Sequence, residues 1–312
     1  RVVDSTFSDI SSAAIQIGSN TAADARPRHP GAVTRDNTVS GNDITNTGRD
    51  YVDAAGIYLG FTRHSIVTHN HIAHVPWSGI AVGWGWGLLD KGSFPGLPGS
   101  HSGEWGPYRT DNVNGDSIVS HNLIEYFIEN RWDGGAVYTT GQQGRSAAHG
   151  LVIEANVARD KRPDGGGNTF YTDGGSRYVT VARNLSYDNP IGVVDLGPAP
   201  ATGDPLPYPA APSLGNGQPY GSDAGGCTTF GDITYRGNSW QQPPFAESVA
   251  GYNARYQSLL GLAPYSADGF FDVCPYKNTH GTSYPTNLRF AHNHVIDPAA
   301  LPSSILEAAG PL

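Results

Sequence analysis

Three aspartates lie where short strand-like runs begin or end, and paired carboxylates can act as an acid and a base. Asp133 precedes a Gly-Gly-Ala-Val-Tyr run, Asp173 closes a Phe-Tyr-Thr run, and Asp195 closes a Gly-Val-Val run. If the last two runs are adjacent strands, their backbones lie about 4.8 Å apart. Carboxyl groups about 5–5.5 Å apart are typical of retaining glycosidases. We therefore expect Asp173 and Asp195 to form a catalytic pair, with Asp133 as a third candidate.

These aspartates also have structural interpretations. Any one of them could cap a turn. Asp133 could bind backbone at the Gly134-Gly135 bend, and our strand alignment places it at the opposite end of its strand from Thr140.

Aromatic residues surround the same runs and could bind a sugar, because the C–H faces of sugars pack on aromatic rings. The predicted substrate-binding residues are Trp77, Trp84, Trp86, Trp105, Trp132, Tyr58, Tyr138 and Tyr171. Stacking of the runs also places Phe61, Trp84 and Thr140 in line with Asp173. Alternatively, Trp84 and Trp86 merely cover an edge of the fold.

Histidines form the one cluster that suggests a metal. His69 and His71 share a strand face, but no third ligand follows at suitable spacing. His121 takes the position of His69 in a later repeat, which favours a surface stack. We predict no metal or other cofactor: Ca²⁺ accompanies some related chemistry, but nothing in the sequence indicates it.

Repeated strands must position these residues. A hydrophobic residue stands three positions before an asparagine at Val39/Asn42, Val67/Asn70, Val119/Asn122, Ile153/Asn156, Val181/Asn184, Tyr235/Asn238 and Phe290/Asn293. A second kind of strand recurs at residues 14–17, 56–59, 79–82, 135–138, 169–172 and 192–195. Such periodicity predicts a stacked β-solenoid in which the asparagines form a hydrogen-bonded ladder.

The long intervals between repeats contain insertions, at about 84–115, 197–230 and 244–286, within a single domain spanning residues 1–312. We expect a short helix within 247–260 and a C-terminal helix over 303–310 that caps the last repeat. The chain begins partway round a repeat, so we expect N-terminal repeats or a cap to be missing or supplied by another segment or subunit.

The composition limits the kinds of partner that the protein can be expected to bind. The net charge is −9 and no basic run occurs, which argues against nucleic acid or an anionic membrane. No apolar run is long enough to cross a bilayer. Cys227 and Cys274 could form a disulfide, which would favour a secreted or extracellular protein, or they could be two free thiols.

The Gly-Trp-Gly-Trp-Gly segment at 83–87 and the Asp-Gly-Gly-Ala segment at 133–136 carry a resemblance. With the repeats over about 1–240, the chain resembles right-handed parallel β-helix glycoside hydrolases, namely the lacto-N-biosidase-like enzymes of family 136 and their β-helix relatives. The resemblance implies an all-β, right-handed parallel β-helix with long loop insertions and a retaining hydrolase with two catalytic aspartates.

The leading hypothesis is therefore a glycosidase that cleaves an oligo- or polysaccharide. A polysaccharide lyase, with Arg131 or Lys91 as the base, is a second hypothesis, although the acidic balance disfavours anionic polymers. A non-catalytic carbohydrate-binding solenoid is a third.

Overall fold

The computed structural model describes much of the chain, and its described residues are mostly β with a few short helices. It describes residues 1–85, 112–131, 133–162, 167–189, 192–195, 217–220, 224–225, 231–241, 265–266, 269–272, 276–278, 281–283 and 286–312. No helix among these residues is long and apolar enough to cross a membrane.

Three eight-stranded sheets make up the body of the structure. The first contains β1 (Val2–Val3), β4 (Thr38–Ser40), β7 (Ile66–Thr68), β10 (Ile118–Ser120), β13 (Leu151–Glu154), β16 (Arg177–Ala182), β21 (Gly231–Arg236) and β27 (Thr286–Ala291). The second contains β2 (Thr6–Ser8), β5 (Asp43–Thr45), β8 (His71–Ala73), β11 (Leu123–Glu125), β14 (Val157–Arg159), β17 (Leu185–Tyr187), β22 (Ser239–Gln241) and β28 (His294–Ile296). The third contains β3 (Ile15–Ile17), β6 (Ile57–Leu59), β9 (Ile80–Val82), β12 (Val137–Thr139), β15 (Phe170–Thr172), β20 (Ala224–Gly225), β24 (Gly269–Asp272) and β23 (Tyr265–Ser266).

Smaller elements complete the described residues. Two antiparallel pairs are formed by β18 (Gly192–Asp195) with β19 (Gly217–Tyr220) and by β25 (Tyr276–Asn278) with β26 (Gly281–Ser283). The α-helices are α1 (Ala22–Ala25) and α2 (Ser303–Ala308), and short 3-10 turns occupy Pro30–Ala32, Ala147–His149 and Pro298–Ala300.

The core lies between the three sheets because alternate strand residues point inward. Val67, Ile72 and Ile80, one from each sheet, are fully buried in one hydrophobic cluster. Equivalent residues of neighbouring strands are paired in register, so each column repeats the same apolar character. Burial of each such side chain stabilises the fold by about 1.5–3 kcal/mol. Core packing therefore stabilises these three-residue strands, which form few hydrogen bonds of their own.

The predicted asparagine ladder is confirmed at the junction of the first and second sheets. Asn122 is typical: its Oδ1 accepts the Asn70 backbone N–H and Nδ2 at 3.0 and 2.8 Å, and its own Nδ2 donates to Asn156 Oδ1 at 2.9 Å. The residue before each ladder asparagine has a left-handed backbone, as at Ala155 and Gly237. Each turn between the first and second sheets therefore combines an asparagine side chain with a preceding residue of positive φ.

The predicted fold class, an all-β right-handed parallel β-helix, is wrong as stated. The described residues form three parallel sheets with antiparallel additions and short helices, and they do not define a closed solenoid. The departure is clearest at β18, which was expected as the next strand of the third sheet. It pairs antiparallel with β19 instead, and β20 occupies the position beside β15.

The C-terminal helix is present as α2, but it does not cap the last repeat. Ile305 and Leu306 pack on the outer face of the second sheet with Val157 and Leu185. Its apolar side thus covers outward aliphatic residues that would otherwise face water. The helix predicted within 247–260, both cysteines and most of the three insertions lie outside the described residues.

Candidate active site

The outer face of the third sheet carries a column of aligned residues. The central, outward residues of five consecutive strands are Gln16, Tyr58, Ala81, Tyr138 and Tyr171. The single methyl group of Ala81 lies between two tyrosines. The column therefore contains a gap one side chain wide at the centre of the sheet.

This gap opens into a pocket of about 550 Å³. Tyr58 and Tyr138 line it on either side of Ala81, and Trp77 and Trp84 flank the two ends of strand β9. The Trp77 and Tyr138 rings are 4.9 Å apart between centroids, so the wall at that side is continuous. A pocket of this size and aromatic character suits one or a few sugar rings.

Two glycines after Asp133 allow this segment to pack closely against neighbouring segments at the acidic side of the pocket. Asp133 has φ 58°, and the two glycines after it lie against other chain segments. A Cβ at Gly134 would lie 2.7 Å from the Trp77 ring, and one at Gly135 would lie 2.4 Å from the Asn168 carbonyl oxygen. Because both positions are glycines, the Trp77 ring can approach this segment, and its Nε1 donates to the Asp133 carbonyl oxygen at 3.0 Å.

Two tyrosines connect Asp133 with Asp173. The Tyr171 hydroxyl donates to Asp133 Oδ1 at 2.6 Å, and the Tyr138 hydroxyl donates to Asp173 Oδ2 at 2.5 Å. The two rings meet edge to face with centroids 5.2 Å apart. Asp133 is exposed in the pocket, whereas Asp173 is only 7% exposed and is not among the pocket-lining residues.

Burial raises the pKa of Tyr138 well above its usual value, and the negative charge of Asp173 raises it further. The pKa of Tyr171 is raised in the same way, by burial first and then by the charges of Asp173 and Asp133. Burial also raises the pKa of Tyr58. The tyrosines of the site are therefore neutral, the Tyr138 and Tyr171 hydroxyls donate to aspartates, and a tyrosinate nucleophile is disfavoured.

A second carboxylate lines the pocket, and the sequence analysis missed it. Asp53 lies four residues before β6, as Asp133 lies four residues before β12, and β9 separates the two strands. Two strand spacings correspond to about 9.6 Å between backbones. Arg131, two residues before Asp133 in the chain, pairs with Asp53: its Nε lies 2.7 Å from Asp53 Oδ1. The shared offset from the strand start was the signal that could have identified Asp53.

The expected stacking of Asp195 on Asp173 is wrong. Asp195 ends β18, which pairs with β19, while β15 beside Asp173 pairs with β20. Thr140 is one step beyond the register pair Thr139 and Thr172, as expected. If the register of β9 and β12 is extended by one residue, Gly83 lies opposite Thr140. Trp84 is therefore one position away from the column in which it was expected.

The aromatic predictions divide into three groups. Tyr58, Trp77, Trp84 and Tyr138 line the pocket, and Tyr171 supports it through Asp133. Phe61 is fully buried beneath Trp84 and belongs to the core. Trp86, Trp105 and Trp132 lie outside the described residues.

The histidines form side-chain stacks and ion pairs. His69 and His121 stack with centroids 4.9 Å apart, which confirms the predicted stack. His71 contacts Asp43 at 2.8 Å and Glu125 at 3.1 Å. Within the described part of the chain, no three His, Cys, Asp or Glu side chains are grouped as a metal site would require.

Comparison with known proteins gives one structural neighbour to report. No protein-family model matches the chain, and no curated protein matches it. A solved structure entitled "Glycoside hydrolase" is similar over 81% of this chain, with 19% sequence identity and a TM-score of 0.53. The match covers 35% of that protein, so this chain spans about a third of its length. At this identity the similarity is one of fold.

Proposed function

We propose that the protein is a glycoside hydrolase that cleaves an oligo- or polysaccharide bound in the pocket over Ala81. The observation that supports this most is the pair of carboxylates, Asp53 and Asp133, in an aromatic-walled pocket. The fold similarity to a glycoside hydrolase points in the same direction without specifying residues.

Asp53 and Asp133 are the proposed catalytic pair. One carboxyl group protonates the glycosidic oxygen as the bond to the anomeric carbon breaks. The other takes a proton from the water that attacks that carbon from the opposite face. Carboxyl groups about 6.5–9.5 Å apart leave room for this water. The backbones of the pair are about 9.6 Å apart, so the proposal requires the two carboxyl groups to be slightly closer together than their backbones.

This assignment replaces the retaining mechanism expected from the sequence, because that mechanism depended on the stacking of Asp173 and Asp195. Asp173 becomes a positioning residue that holds the Tyr138 hydroxyl. Tyr138, held in this way, presents its ring to the sugar. We further propose that the enzyme acts outside the cell, where polymeric glycans are available.

A glycan panel tests the proposal. Release of reducing ends without an ultraviolet-absorbing product is expected of a hydrolase. Unsaturated, ultraviolet-absorbing products would identify a lyase, and binding without turnover would identify a binding protein; either result would overturn the proposal. Proton NMR of the first product should show the inverted anomer, whereas a retained anomer would exclude the Asp53 and Asp133 pair as assigned.

A further inference from the structure

A second hollow, of about 750 Å³, lies beyond the ends of the third-sheet strands and is lined by cationic residues. The charged residues that line it, among those the structure describes, are Arg26, Arg28, Arg63, Arg145, His149 and one acidic residue, Asp116. The described lining residues thus include four arginines and one carboxylate, in a chain whose net charge is −9. This reversal of the overall charge is the reason to look for a ligand.

The single carboxylate is already engaged. Asp116 Oδ2 accepts from Arg63 Nε and Nη2 at 3.1 and 2.9 Å, and Oδ1 accepts from His149 Nδ1 at 2.7 Å. Burial alone would raise the pKa of Asp116, but these hydrogen bonds and the nearby positive charges lower it. Asp116 is therefore ionised at neutral pH, and its charge is already matched by that of Arg63 alone.

Arg28 and Arg145 have no such partner among the described residues. Among the described residues, no carboxylate pairs with Arg28 or Arg145, and both side chains are exposed at the hollow. The amide groups of the floor are also occupied, since Asn112 and Asn114 both donate from Nδ2 to the Gln142 carbonyl oxygen. Guanidinium groups held at such a site suit an oxyanion, which they bind through paired N–H donors.

The hollow adjoins the sugar pocket. Trp84 lines the pocket over Ala81 and belongs to the same apolar cluster as Phe61, Ala25 and Val113, of which the last two line the cationic hollow. This apolar cluster therefore contributes to the walls of both cavities.

We propose that this cationic hollow binds the oxyanion of an acidic sugar, a uronic acid carboxylate or a sulfate ester, on the glycan held in the adjoining pocket. The sugar part of this inference rests on the proposed function, whereas the anion part rests on the arginines. A glycosidase with such a subsite selects acidic glycans over neutral ones of the same linkage, because only an anion compensates Arg28 and Arg145.

The test is a binding measurement on the whole chain by calorimetry, at about 20 mM ionic strength so that screening is weak. The probes are glucuronic acid, glucose 6-sulfate and, as the neutral control, glucose. At least one anionic probe should bind about tenfold more tightly than glucose. The R28A/R145A variant should lose that advantage, whereas R49A/R236A, which removes the same charge at distant exposed positions, should retain it.

The two anionic probes distinguish the sources, since the tighter one identifies a carboxylate or a sulfate ligand. Equal binding of all three probes, or undiminished anion binding by R28A/R145A, would overturn the proposal. Because the readout is binding, a negative result here would leave hydrolysis of neutral glycans untouched. Conversely, an absence of hydrolysis would not affect the measured anion binding.

Discussion

The Tyr138 hydroxyl donates a hydrogen bond to Asp173 from the neighbouring strand, with 2.5 Å between the oxygens. Tyr138 lines the sugar pocket, whereas the carboxylate that holds it does not. Under the proposed function, Tyr138 would contact the substrate and Asp173 would position Tyr138 without contacting the substrate itself.

If Asp173 acts only through Tyr138, the variants Y138F and D173N should be strongly non-additive. Each should lower kcat/KM by about tenfold, the cost of losing one oriented hydrogen bond to a charged group, and the double variant should fall no further than the worse single one. A double-mutant cycle in kcat/KM, with thermal unfolding as the folding control, measures this. Additive losses would mean that Asp173 acts independently.

Ala81 should set the size of the sugar pocket. A81L places a branched side chain between Tyr58 and Tyr138, so KM should rise by about tenfold or more. Because Ala81 is only 2% exposed, the larger side chain should also lower stability by about 1–3 kcal/mol. A81S is the matched control, since it keeps the pocket open. Unchanged KM in A81L, with intact folding, would show that the sugar binds elsewhere.

The left-handed corner before each ladder asparagine predicts opposite effects at two equivalent positions. Ala155 has φ 53° and Gly237 has φ 63°. A155G should stabilise the protein by about 0.5–1 kcal/mol, because glycine relieves the strain of a positive φ. G237A should destabilise it by a similar amount.

Denaturant unfolding of both variants measures these effects. A Cβ at Gly237 would meet only Arg183 Cγ, at 3.6 Å, so steric overlap does not confound the result. Shifts of the same sign in A155G and G237A would contradict the strain argument.

Glu125 should make stability depend on acidity. Burial would raise its pKa, but hydrogen bonds from His71 and Arg159 lower it below the usual 4.5. Its contribution is therefore present above pH 4.5 and is lost as the pH falls through the lower, folded-state pKa. At pH 7, E125Q should be less stable by about 1–2 kcal/mol, and this difference should shrink in acid.

Urea denaturation at several pH values tests the Glu125 prediction. Exposed Glu307 provides the matched control, and E307Q should follow the wild type at every pH. A constant difference between wild type and E125Q across the acid range would show that the effect is one of packing.

The sequence predicted the strands well where a local repeat determines them. Ile57 and Ile80 are aligned as expected, because inward apolar residues and ladder asparagines fix the register of each repeat. In the next strand Val137 pairs with Ile80, one residue away from the alignment expected from the sequence. The strand that pairs with β15 on its other side in the third sheet could not be predicted in the same way. Val193 and Val194 have strong β propensity, but propensity does not specify which strand they pair with, and Ala224–Gly225 pairs with β15 instead.

The site was predicted in part for a related reason. Asp133, Tyr138 and Trp77 stand out because they interrupt or flank a recognisable repeat. Asp53 lies in a turn, where aspartate is common for purely local reasons. The cationic hollow combines arginines that are more than one hundred residues apart in sequence, so no local pattern could reveal it.

The measurement that tests the account most directly is kcat/KM for D53N and D133N on a glycan that the wild type hydrolyses. Both should lose about a thousandfold or more, since each variant lacks one of the two proton-transferring groups. D50N, at an exposed neighbouring aspartate, should be fully active, and all three should unfold at the wild-type temperature. Wild-type activity in correctly folded D53N or D133N would contradict the proposed carboxylate pair.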